Sequence, residues 1–240
     1  MEVLVYILLA VFVAILIVCL TIASYSGSNL LEKFEQVNKH LSSSFTVASD
    51  FCCMISQTYL ASSVMVGGRK GHLTDAYIPS KKTVFLSEST FSNSSVAALA
   101  VAAHELGHAL QDYQNPATLR KHKNMGIACK LIGLLMYPMV ILGVVLLFTS
   151  ESIVPSIICI AGAIAIFVFA LVVKLMTIKI EKDASKKALS FLKELNVLED
   201  YELKYAKQIL NAALLTYIGD FLQALLGWTM LTRKTKLFGG

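Results

Sequence analysis

Three runs of this chain carry almost no polar side chain: Val3 to Ile22, Leu131 to Phe148 and Ile153 to Val173. A backbone surrounded by hydrocarbon has to satisfy its N–H and C=O groups internally, which leaves helices and closed barrels as the only spanning structures. These runs are continuous and do not alternate, so they predict helices. About 20 residues at about 1.5 Å each cover the hydrocarbon core of a bilayer. The expected fold is therefore mainly α: an integral membrane protein with about three to four membrane helices. Composition points the same way. Hydrophobic residues make up 56% of the chain and charged residues 15%, against about 25% charged in ordinary soluble domains.

The flanks of these runs add detail. Met1-Glu2 lacks the basic start of a secretory leader, so the first run is expected to be a retained anchor. Pro138 is expected to kink the second run. Pro155 falls near the first turn of the third, where proline costs little. Only Thr149 to Ser152 separates the second and third runs, which predicts an antiparallel helical hairpin. The net charge of +5 is carried by clusters beside the runs, with Arg120, Lys121 and Lys123 before one and Lys174, Lys179 and Lys182 after the next. Such clusters are membrane flanks and not a nucleic-acid stripe, and they orient the polar part toward the cytoplasm. The five cysteines have no zinc-knuckle or disulfide-framework spacing and are read as reduced thiols.

Four regions are expected: an anchor over 1–23, a cytoplasm-facing region over 24–125, a transmembrane hairpin over 126–174 and a charged helix with a membrane-associated tail over 175–240. Within the second, Asn29 to Leu41 has helical rhythm, with Leu30, Leu31, Phe34, Val37 and Leu41 on one face. Gly67-Gly68-Arg69-Lys70-Gly71 reads as a turn or loop. Leu73–Ile78 and Thr83–Ser87 read as the arms of a small β-hairpin around Pro79-Ser80-Lys81-Lys82. Ser92-Asn93-Ser94-Ser95 offers helix caps, and Asn115-Pro116 offers a stop, so a helix is expected from about Ser95 to about Tyr113. The tail segment Ile209 to Leu231 is apolar but holds Asn211, Thr216, Asp220 and Gln223, and a re-entrant or interfacial placement is favoured.

The predicted helix carries His104-Glu105-Leu106-Gly107-His108. Residues four apart share a helix face, so both imidazoles reach one metal. Zinc brings the pKa of a water it holds toward about 7, and Glu105 stands beside it as the general base. Gly107 leaves room beside the second ligand. Gln111 and Gln114 stand where a metzincin would have glycine and histidine, which excludes that class. A third ligand is still needed. His72 and His122 are weak candidates. Two crossings return the chain to the side of His104 after Val173, which favours Glu181, nearest the membrane end, over Glu194, Glu199 and Glu202. Glu151, at the hairpin tip, falls on the wrong side.

Several segments resemble the YugP-like membrane zinc metallopeptidases: Gly71 to Asp75, Thr83 to Glu88, Ser95 to Ala98 through His104 to Gln111, Glu181-Lys182-Asp183-Ala184-Ser185 and Ala212 to Tyr217. The resemblance is dense from Gly71 to Gln111 and sparser later. It implies one zinc ion per chain, held by His104, His108 and Glu181, with Glu105 catalytic and Ser185 orienting a ligand. Ala76 and Ile78 depart from the histidine and acid usual in the family. The expected function is a membrane-embedded zinc endopeptidase whose partners are a protein or peptide substrate and the lipid bilayer, with no nucleic acid. Thr83 to Ser87 is the expected edge strand for substrate. The competing readings are a zinc-stabilised membrane scaffold and an intramembrane protease.

Overall fold

The computed structural model describes residues 2–225 of the 240-residue chain. In chain order the elements are α1 (Glu2–Asn38), α2 (Ala48–Tyr59), β1 (Met65–Arg69), β2 (Ala76–Ile78), β3 (Thr83–Ser87), α3 (Val96–Gln114), α4 (Pro116–Gly133), α5 (Met136–Thr149), α6 (Val154–Glu194) and α7 (Asp200–Leu225). They form two compact units. Among the described residues, one unit takes the start of α1, Arg120–Ile178 and the end of α7 from Tyr217. The other takes Ser24–Leu119 and Lys179–Thr216.

The first unit is helical. Pro116–Thr149 and Val154–Glu194 are long and apolar enough to cross a membrane. The expected break in the first of these lies at Leu134-Leu135, between α4 and α5. Pro138 has no N–H to offer the Leu134 carbonyl, and its ring crowds that carbonyl, so the helix opens one turn earlier. Helices α5 and α6 run antiparallel: Ser156 Oγ donates to the Gly143 carbonyl at 2.6 Å, and a Cβ at Gly143 would sit 2.8 Å from Ile160 Cγ1. Most of the residues buried here are small, including Gly143, Ser156, Ala163 and Ala170, and Met136 and Val173 join them. At Ile209–Leu231 the chain is helical up to Leu225, and the remainder lies outside the described residues.

The second unit is built round α3. Every residue from Val96 to Ala103 is buried, and five of those eight are alanines, which let neighbours approach on all sides. The Ser95 hydroxyl accepts from the Ala98 N–H at 3.1 Å, as its cap position predicts. The same hydroxyl donates to Asn38 Oδ1 at 2.7 Å, which fastens the start of α3 to the end of α1. Leu30, Phe34 and Val37 face the core as expected, while Leu31 and Leu41 point outward. The serine-rich stretch after Phe45 contains α2, whose Phe51, Cys52 and Ile55 are buried.

The expected hairpin forms, with β2 antiparallel to β3 and Tyr77 opposite Val84. It belongs to a three-stranded sheet of order β1-β3-β2, and β1 runs parallel to β3. Two expectations are corrected here. Gly67 to Arg69 is strand and not loop. The ladder to β3 holds it there, and Gly67 leaves the space that the Phe85 ring fills, 3.2 Å from where a Cβ would lie. Thr83–Ser87 is consequently the central strand, so its backbone is paired on both sides and offers no edge. The edges are β1 and β2.

Candidate active site

Helix α3 presents His104 and His108 one turn apart, with their rings edge-on at 4.8 Å between centroids. Glu181 of α6 meets them. Its Oε2 lies 3.1 Å from His104 Nε2 and 3.4 Å from His108 Nε2. All three side chains are largely buried. These atoms form the cluster of potential metal donors found among the described residues. The donor set fits zinc. Bonds of about 2.0–2.1 Å in a tetrahedral site put donors about 3.3 Å apart, close to the distances of Glu181 from each histidine, and all three donors lie within 4.8 Å of one another. Two imidazoles and one carboxylate also leave a fourth position open, as in catalytic zinc sites.

Helix packing makes this convergence possible. A Cβ on Gly107 would lie 2.4 Å from the Ala184 carbonyl oxygen, so only glycine lets α3 and α6 meet at this depth. The space at Gly107 thus belongs to the α6 backbone and not, as the sequence suggested, to the neighbouring ligand. Glu181, about one turn before Ala184 on α6, and Ser185, the residue after it, are thereby brought to the histidines. The Ser185 hydroxyl lies 3.3 Å from His104 Nδ1, within reach of the ligand it was expected to orient.

Behind His108 stands a residue whose role the sequence did not reveal. Gln111 Oε1 lies 3.0 Å from His108 Nδ1. Its amide nitrogen donates to the Ile180 carbonyl at 2.9 Å and to Asp183 Oδ2 at 2.8 Å. Both amide hydrogens are thereby committed to α6, so the oxygen must face His108 and accept from Nδ1–H. That fixes the tautomer and leaves the Nε2 lone pair available to a metal. The position i+3 from a ligand was a signal available in the sequence.

Glu105 is buried on the adjacent face of α3. Its Oε2 accepts from the backbone N–H of Tyr77 at 2.7 Å. Burial pushes its carboxyl above the ordinary value, while His104 and His108 and the Tyr77 N–H pull the other way. Burial would also raise Glu181, but the charge on His108 and hydrogen bonds from both histidines hold it well below the usual carboxylate range. His108 shows the reciprocal effect. Burial opposes its charge, yet Glu181 lifts it to about 9.

The competing candidates are engaged elsewhere. His72 pairs with Glu35 at 3.3 Å. His122 lies 2.9 Å from Thr177 Oγ1. Glu194 accepts from Tyr59 and Ser190. Glu202 accepts from the Ser43 N–H and hydroxyl and from the Glu199 N–H. The structure therefore brings Glu181 to the histidine pair and gives His72, His122, Glu194 and Glu202 different partners.

Comparison with known proteins leads to the same chemistry. Residues 9–234 match the family described as "Putative neutral zinc metallopeptidase". The chain is 28% identical over 215 residues to "Putative membrane protease YugP" of Bacillus subtilis (strain 168), covering 89% of this chain and 92% of that relative. No solved structure matches the chain.

Proposed function

The chain belongs to this neutral zinc metallopeptidase family, and on that premise we propose that it is a membrane-embedded endopeptidase hydrolysing peptide bonds of membrane or membrane-proximal proteins. One observation carries the reading. Three donors from segments 77 residues apart converge on one point, with a buried glutamate beside them. His104, His108 and Glu181 would hold one zinc ion. When bound, the metal lowers the pKa of a coordinated water and polarises the substrate carbonyl.

The remaining steps belong to the chain's own groups. Glu105 takes a proton from the attacking water and returns it to the departing amine. Substrate would lie extended along the outer edge of β2. Neighbouring residues of an antiparallel strand turn their backbone groups to alternate sides, and each residue's N–H and C=O point the same way. The Tyr77 N–H points at Glu105, so its C=O also faces that side and would accept from a substrate N–H. The basic clusters beside the apolar runs support a cytoplasmic site.

Zinc content and cleavage test this together. The purified, zinc-loaded chain is expected to cut an unfolded protein such as casein. Glu105→Gln is expected to keep about one zinc per chain and to lose at least about 100-fold in kcat. Undiminished cleavage by that variant would overturn the mechanism.

A further inference from the structure

Tyr77 touches α3 at two points. Its backbone N–H reaches Glu105 Oε2 at 2.7 Å, and its phenol donates to Asp112 Oδ2, also at 2.7 Å. Glu105 and Asp112 are seven residues apart, two helical turns, and so lie on one face of α3. The tyrosine side chain therefore runs along the helix and spans both. Both contacts are buried. Lys82, at the end of the hairpin turn, adds its ammonium to the same Asp112 oxygen at 2.5 Å.

Strand β2 needs such fastening. It has three residues, and only its Ala76 and Ile78 positions turn their backbone groups to β3, because the N–H of Tyr77 points the other way. The chain enters the hairpin through Leu73 and leaves its turn through Lys82, both with left-handed backbones, at φ 51° and φ 47°. Such conformations persist where surrounding contacts hold them. Beyond the phenol, the strand is held by the two flanking ladder pairs, the Glu105 contact and the Asp75 carboxylate, which accepts from the Ser87 N–H and hydroxyl, but none of these fastens the Tyr77 side chain to the helix.

We infer that Asp112 is a positioning residue for hydrolysis: by gripping the Tyr77 phenol it holds the Tyr77 backbone against Glu105, which keeps one glutamate oxygen tied and the other directed to the attacking water. This rests on the peptidase reading of Glu105. A carboxylate with both oxygens untied would rotate, and misplacement by about 1 Å costs catalysts on the order of 100-fold.

The test uses the full chain in detergent, zinc-loaded, with Tyr77→Phe, Asp112→Asn, the double variant and Lys81→Ala as a control in the same turn. Lys81 lies over the Phe85 ring and does not bind Asp112. Three quantities are read: casein turnover, zinc per chain, and amide hydrogen exchange of the segment 75–78. Tyr77→Phe and Asp112→Asn should each lower kcat by about 10- to 100-fold, keep zinc, and speed exchange in that segment. The double variant should be no worse than either single one, and Lys81→Ala should match the wild type. Wild-type exchange and turnover in Asp112→Asn would overturn the inference. So would additive losses, or losses that track zinc or melting temperature. If the wild type itself left casein uncut, the peptidase reading would fall, and exchange in Asp112→Asn would still decide whether the clamp exists.

Discussion

The two units of this protein bury opposite kinds of side chain. In the unit built on α3, large apolar groups go inside: Phe34, Phe51, Ile55 and Leu99 are completely covered. In the helical unit, Ile141, Phe148 and Ile158 point outward, Phe148 with 85% of its surface exposed, and most of the covered residues are glycine, serine and alanine, with Met136 and Val173 among the few larger ones. The first arrangement answers to water, where burying hydrocarbon is the main driving force. The second is the pattern expected of candidate membrane spans, because lipid is as apolar as leucine and association in it depends on close backbone approach through small residues. One chain thus follows two packing rules, and each can be challenged separately.

The largest contrast should come from phenylalanine. Phe51→Ala is expected to cost about 3–5 kcal/mol, as cavities in close-packed cores do. Phe148→Ala should cost about 0.5 kcal/mol or less, because its side chain leaves one apolar surrounding for another. Unfolding in detergent would measure both, and equal costs would break the comparison. Next comes pH. In the metal-free protein His108 titrates near 9 in the folded state against an ordinary 6.5. A raised folded value gives stability that is fully present below pH 6.5 and lost as pH rises through about 9. The loss should approach about 3 kcal/mol. Zinc should remove this dependence by replacing the proton, and a flat melting profile for the stripped protein would contradict it.

A smaller effect concerns a device that both units share. Gly107 in one unit and Gly143 in the other admit a neighbouring helix. Gly107→Ala has a backbone carbonyl in its way and should cost about 1–3 kcal/mol together with zinc retention. Unchanged zinc in that variant would mean the helix crossing does not set the ligand spacing. The smallest change sits beyond the ligands. Gln111→Ala should weaken zinc binding about 10- to 100-fold, read by chelator competition, while leaving Phe51-type core stability alone.

What the sequence disclosed follows from how local each signal was. Helix α3 was legible because its cap, its stop and its i,i+4 histidines all lie within one stretch. The hairpin was legible from its apolar arms and turn. Glu181 emerged by counting crossings, which needs no packing detail. Strand β1 was missed because two glycines in Met65–Arg69 look like a turn, and the strand state comes from a partner that lies beyond a whole hairpin arm. That omission also made β3 look like an edge. Gln111 and Asp112 sat at helical spacings from His108 and Glu105, yet their partners on α6 and β2 could not be foreseen from spacing alone.

The separation of the donors along the chain has a consequence for biosynthesis. His104 and His108 leave the ribosome long before Glu181, with the entire apolar hairpin in between. A nascent chain halted anywhere in that interval holds two imidazoles and the base but not the carboxylate. Translation therefore completes the proposed hydrolytic centre late, after both hairpin runs have been made, so an aborted product would be born unarmed.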